Sequence, residues 1–127
     1  MAKKLNLLVD TDIFIDYFNH QLFRDLFESG QFRVYYSVVT KKELLSKEGL
    51  QESEREAIQT FLKGCRLILL DQAILQKYSD LRREYPQAAK EDTLIAATAI
   101  VKKFSLVTRN NRHYRIFPDI ILWFGTD

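Results

Sequence analysis

The chain has 127 residues, 46% hydrophobic and 28% charged, with 19 Lys+Arg against 17 Asp+Glu. That length suits one compact domain burying roughly two-thirds of its unfolded surface, and the apolar share excludes a disordered tail. A net charge of +2 does not by itself announce a nucleic-acid binder, although a near-neutral sum can hide separated clusters.

In chain order, Leu5 to Val9 is a short apolar run ending at Asp10, as expected of a strand covered on both faces. Ile13 to Phe18 and Leu22 to Ser29 have helical periodicity, stopped at Gly30. Arg33 to Val39 is a β-rich strand that passes into a helix over Lys41 to Lys47, with Ser37 or Thr40 as its cap. Gln51 to Leu62 predicts a further helix ending at Gly64, and Arg66 to Leu70 another strand. A helix over Gln72 to Tyr85 is stopped by Pro86. Lys90 to Phe104 has a clear 3.6-residue period, and Ser105 to Thr108 and Ile120 to Phe124 close the chain as short strands. Strands alternating with helices predict a single α/β domain over residues 1–127 with a mostly parallel central sheet. In such sheets ligands collect beyond the carboxyl ends of the strands.

The lone Cys65 excludes an internal disulfide framework and a cysteine-based zinc site, and fits a reducing cytoplasm. Met1-Ala2-Lys3-Lys4-Leu5 lacks the apolar core of a signal peptide. No apolar stretch approaches the roughly 20 residues that span a bilayer. A soluble cytoplasmic protein with no membrane partner is the expectation.

The strand ends carry the polar residues of interest. Asp10 follows the first strand directly, with Thr11 and Asp12 beside it, and Asp12 also suits the cap of a helix starting at Ile13. Ser37, Thr40 and Glu43 come from the second strand end and its helix; Lys41 and Lys42 beside them fit a solvated face. Asp92 precedes Ile95, Ala96 and Ala99 by three, four and seven residues, so it heads a core-facing stripe. An acid there is costly unless paired, hydrogen-bonded or bound to metal. Glu91 lies about 100° around the helix, toward solvent.

Thr108-Arg109-Asn110-Asn111-Arg112-His113-Tyr114-Arg115 crowds three arginines, two amides, a histidine and a tyrosine into one strand-to-helix connection. Arginine forks suit phosphates and a tyrosine can stack on a base; a solvated loop is the plain alternative. Asp10, Glu43 and Asp92, from separate elements, are expected to converge on one rim, and oxygen-only ligands there would suit Mg²⁺ or Mn²⁺ and phosphodiester hydrolysis. Arg109, Arg112 and Arg115 would hold the strand being cut.

These segments resemble the PIN-domain family, most closely the VapC-type toxins of toxin–antitoxin pairs. The resembling stretches are Leu8-Val9-Asp10-Thr11-Asp12-Ile13-Phe14-Ile15-Asp16, then Tyr36-Ser37-Val38-Val39-Thr40-Lys41-Lys42-Glu43-Leu44-Leu45. Asp92-Thr93-Leu94-Ile95-Ala96-Ala97-Thr98-Ala99 follows, and Val107-Thr108-Arg109-Asn110 with His113-Tyr114 completes the set. The resemblance implies a three-layer α/β/α sandwich and a Mg²⁺- or Mn²⁺-dependent ribonuclease. It makes Asp10, Glu43 and Asp92 metal-binding catalytic acids, with Asp12 as a further ligand where the family often has Asn. Many relatives have another acid in the fourth segment where this chain offers Asn110, Asn111 and His113, so Asn110 joins the site as an amide. One firmly bound ion, with another recruited by substrate, is expected. Thr11, Ser37, Thr108 and the three arginines would line the substrate side. The resemblance also implies an RNA substrate, a homodimer and an antitoxin partner covering the pocket. Phe14, Tyr17 and Phe18, then Phe23, Leu26 and Phe27, provide an aromatic stripe for the core or for such a partner face.

Two other readings start from Asp10-Thr11-Asp12. A haloacid-dehalogenase-type phosphatase would use Asp10 as nucleophile and Asp12 as acid, but the Gly-Thr pair usual after that motif is replaced by Ile13-Phe14. A non-enzymatic receiver-like signalling domain needs a phosphorylatable acid at the third strand end, where Asp71 stands. It also needs a lysine near the last strands, and Ile120 to Phe124 leads only to Gly125-Thr126-Asp127.

Overall fold

A computed structural model describes residues 4–124, so the Met1–Lys3 opening and the Gly125–Asp127 end lie outside the described residues. Strand β1 (Leu5–Val9) leads into helices α1 (Thr11–His20) and α2 (Arg24–Glu28), and β2 (Phe32–Ser37) into α3 (Val38–Leu45) and α4 (Glu52–Leu62). Strand β3 (Arg66–Ile68) is followed by α5 (Gln72–Glu84) and α6 (Lys90–Lys102), and β4 (Ser105–Val107) by α7 (Asn111–Tyr114).

The four strands pair in the order β3-β2-β1-β4, every pairing parallel. Alternate residues of a strand face opposite sides, so Leu7 and Val9 enter one core and Leu8 the other. Leu7, Val9, Val34 and Val107 pack with Ile13, Phe14, Leu26, Leu44 and Leu62 of α1–α4. On the other face Leu8, Ile68 and Leu106 meet Ile74, Leu81, Ile95, Ala96, Ala99 and Tyr114 of α5–α7. The result is the three-layer α/β/α sandwich expected from the sequence. The small side chains of Ala96, Ala97 and Ala99, all fully buried, let α6 lie close against its neighbours.

The chain steps from β1 outward to β2 and β3, then crosses back to β4 on the far side of β1. Parallel crossovers are right-handed, so reversing direction moves the helices to the opposite face. The reversal leaves a switch point between the carboxyl ends of β1 and β4, where open α/β sheets form their clefts. Asp10 and Thr108 stand at those two ends.

Several boundaries differ from the sequence reading. Val38 and Val39 belong to α3 because the Ser37 side chain caps it, accepting from the Thr40 N–H at 3.1 Å. Helix α1 begins at Thr11, so Asp10 rather than Asp12 is its cap. Strand β3 stops at Ile68, beyond which Leu69 and Leu70 are exposed. The segment expected as a last strand contributes one parallel bridge, Leu106 to Leu122. Leu106 gives its N–H to Ile121 and takes that of Trp123, while Ile121 and Phe124 point into solvent. Among the described residues no helix is long and apolar enough to cross a membrane.

Candidate active site

Asp10 is buried at the switch point, 6% exposed. Its backbone N–H bonds the Val107 carbonyl at 2.9 Å, tying it to β4. Its two carboxylate oxygens are used separately. Oδ1 accepts from the Thr11 N–H and Oδ2 from the Thr108 hydroxyl, each at 2.8 Å. Burial nevertheless dominates these bonds and pushes the Asp10 carboxyl up to about 6, with the Asp12 and Asp92 charges adding to the rise.

Thr11 sends its side chain to the second acid. Its hydroxyl oxygen lies 2.6 Å from Glu43 Oε1 and 2.9 Å from the Thr40 hydroxyl. A hydroxyl has one proton, so Thr11 donates to the carboxylate and accepts from Thr40. Ser37 and Thr40 are both buried, which makes the start of α3 a fixed support for Glu43 one turn later.

Asp92, half-buried in the first turn of α6, accepts from the Tyr114 hydroxyl at 3.3 Å and lies 3.5 Å from His113 Nδ1. Tyr114 is fully buried, which corrects the expectation that its ring stacks on a base. Its phenol is pushed far above the usual range by burial and by the charges of Asp10, Asp92 and Glu43, and therefore stays a hydrogen-bond donor. Asp12 accepts from the Asn110 amide at 2.9 Å, and the Asn110 N–H bonds Thr108 Oγ1 at 3.0 Å.

Four acids from three distant segments thus stand around one rim, and the Asp12 and Asp92 charges add to the rise that burial imposes on Asp10. Arg112 and Arg115 are exposed beside it and, among the described residues, pair with no acid. They line an open polar pocket of about 390 Å³ with Arg109, Asn110, Asn111 and His113. Arg109 differs: its guanidinium is on Asp16, 2.7 Å away. Asp16 closes the first family-resembling stretch, one helical turn after Asp12, but the sequence assigns it no role.

Among the described residues no three His, Cys, Asp or Glu side chains are already closed into a metal cage; Glu43 and Asp12 are turned to Thr11 and Asn110. The donor set still fits a hard cation. It is all oxygen, and such ions are commonly held by one or two carboxylates plus water. Asp10 and Tyr114 are raised first by burial, and the neighbouring carboxylate charges that add to the rise are charges a cation would offset.

The aromatic stripe divides. Phe14 is wholly buried, with Phe27, Phe18, Tyr36 and Phe61 rings 5.3–6.3 Å from its own. Phe18 and Phe61 also line an apolar groove of about 830 Å³ with Ile15, Leu44, Leu50 and Ile58, which runs to Thr11, Asp12 and Glu43.

The family model described as PIN domain matches residues 7–117. This chain belongs to the PIN-domain family. The ribonuclease VapC19 of Mycobacterium tuberculosis is 33% identical over 122 residues, covering 89% of this chain and 95% of that protein. Ribonuclease VapC1 of Methanocaldococcus jannaschii is 30% identical over 113 residues, covering 85% of this chain and 78% of its own. Among solved structures, a toxin–antitoxin complex from Klebsiella pneumoniae superimposes with a TM-score of 0.76 at 25% identity, covering 91% of this chain and 95% of that one. PIN membership leaves the phosphatase and receiver readings without support. Asp71, the receiver candidate, caps α5 through Ile74 N–H and pairs with Lys102 at 3.2 Å.

Proposed function

We propose that this PIN-domain protein is a Mg²⁺- or Mn²⁺-dependent endoribonuclease and the toxin of a toxin–antitoxin pair. The observation that carries the reading is the buried Asp10 at the switch point with Asp12, Glu43 and Asp92 around it. The two VapC relatives named as ribonucleases support the reaction class.

Asp10 and Asp92 would hold the ion, with Asp12 and Glu43 reaching it directly or through water. Bound there, a divalent ion supplies Lewis-acid polarisation of the phosphodiester and acidifies a water for attack. Thr108 and the Thr11 N–H keep both Asp10 oxygens oriented. Thr11, backed by Thr40 and the Ser37 cap, fixes Glu43 where it can take a proton from water. Tyr114 and His113 hold Asp92. Arg112 and Arg115 face outward to engage substrate phosphates. Asn110, standing where many relatives have a fourth acid, donates to Asp12; one tightly held ion follows.

The antitoxin would cover this same face. An apolar helix or strand from it would lie in the groove bounded by Phe18, Leu50, Ile58 and Phe61. A homodimer working in the cytoplasm completes the proposal. The test is cleavage of RNA by the purified protein with Mg²⁺ or Mn²⁺, and its arrest by a co-expressed antitoxin; hydrolysis of an aspartyl-phosphate instead would overturn it.

A further inference from the structure

Asp12 and Asp16 are four residues apart on α1 and lie on one face, a turn apart. The two consecutive residues Arg109 and Asn110, after β4, meet that face in parallel. Asn110 Nδ2 donates to Asp12 Oδ2 at 2.9 Å, and Arg109 donates to Asp16 Oδ2 at 2.7 Å. Thr108 adds its bond to Asp10 and accepts from the Asn110 N–H. Three successive residues of one loop are thus pinned to three acids of the segment that opens the site.

The outermost pair is unlike a surface ion pair. The Asp16 side chain is 11% exposed while that of Arg109 is 59% exposed. Among the described residues Arg109 is the only side-chain partner of Asp16. The buried member is the acid, and the arginine reaches in to it. Arg109 makes this bond through one guanidinium nitrogen, which fixes the direction of its side chain toward α1.

We propose that Asp16 and Arg109 are positioning residues: their ion pair clamps the 108–110 loop onto α1, setting where Asn110 holds Asp12 and Thr108 holds Asp10. Arg109 acts through these neighbours, while Arg112 and Arg115 meet the phosphates. The kinetic part of the proposal rests on the ribonuclease reading; the structural part does not.

The experiment compares wild type, Asp16→Ala, Arg109→Ala and the double variant Asp16→Ala/Arg109→Ala. In the double variant no charge is left stranded, so the fold survives even where Arg109→Ala alone does not. With Mg²⁺ and a defined RNA, each variant is expected to lose kcat by about 10²-fold, as misplaced catalytic groups do, with KM within about twofold of wild type. The double variant should lose no more than a single one, because both break the same contact. Exchange of the Asn110 backbone amide should quicken by about tenfold or more in Asp16→Ala, since its Thr108 bond loosens with the loop. Arg112→Ala, by contrast, should raise KM and flatten the salt dependence of RNA binding.

The proposal is overturned if Arg109→Ala raises KM and flattens the salt dependence while Asp16→Ala keeps wild-type kcat and amide protection. If wild type cleaves no RNA but Asp16→Ala still loses Asn110 protection, the clamp stands and the ribonuclease reading falls.

Discussion

Asp10 concentrates the chemistry of this site in one side chain. Its carboxyl titrates at about 6 against an ordinary value of 3.8, chiefly through burial. Between those values the folded, metal-free protein binds more protons than the unfolded chain. Its stability is therefore highest below pH 4 with respect to this group, and falls as pH rises through 6. The full effect is on the order of 3 kcal/mol. Asp10→Asn should accordingly raise the thermal midpoint of metal-free protein at pH 7.5, with the gain shrinking toward pH 4, while abolishing cleavage. A second consequence is proton release. At pH 5.5 Mn²⁺ binding should expel most of one proton, and at pH 8 almost none. Titration calorimetry in buffers of different ionisation enthalpy measures both. A binding heat independent of buffer at pH 5.5 would remove Asp10 from the metal site.

Among the elements, the start of α3 matters most for the site. Ser37 ends β2, caps α3 and lies behind Thr40 and Glu43. Ser37→Ala should cost about 1 kcal/mol, seen as a lower denaturation midpoint, and should slow cleavage further by loosening Glu43. This junction also shows how far the sequence could be read. Strand, cap hydroxyl and acid were legible from local pattern, yet Val38 and Val39 look like strand because their β-branched side chains favour it. The cap decides otherwise. Asp10, Glu43 and Asp92 were legible because each follows or approaches a strand end in an α/β alternation. The role proposed for Asp16 was not, although it closes the first family-resembling stretch, since its partner Arg109 lies 93 residues away. The burial of Tyr114 was hidden for the same reason: its neighbours in sequence are Arg112, His113 and Arg115, while its neighbours in space are Ile95 and Leu106 of the core.

For the molecule as a whole, the small net charge conceals a division. The parallel sheet gathers acids at the β1–β4 switch point, and α7 sets Arg112 and Arg115 beside them. Metal binding would offset the acids, leaving a surface more positive than composition suggests. Replacing Arg112 or Arg115 by Ala should raise KM with kcat preserved. Each should lower the slope of log affinity against log salt by about 0.7, the value for one phosphate contact on a single strand. An unchanged slope would take those arginines off the RNA path. On the proposed reading an antitoxin segment in the groove beside the same rim would compete with substrate, so capture by its partner and loss of cleavage should rise together.

The central claim, that these converging carboxylates cut RNA with a bound divalent ion, is tested most directly by one comparison. Total cellular RNA is incubated with wild type and with Asp92→Asn, in Mg²⁺ or Mn²⁺ and in EDTA, after circular dichroism shows both proteins folded. The account predicts discrete cleavage by wild type with metal, none in EDTA, and none by Asp92→Asn. Wild-type cleavage that persists in EDTA, or an Asp92→Asn protein that cuts at the wild-type rate with Mg²⁺, would contradict it.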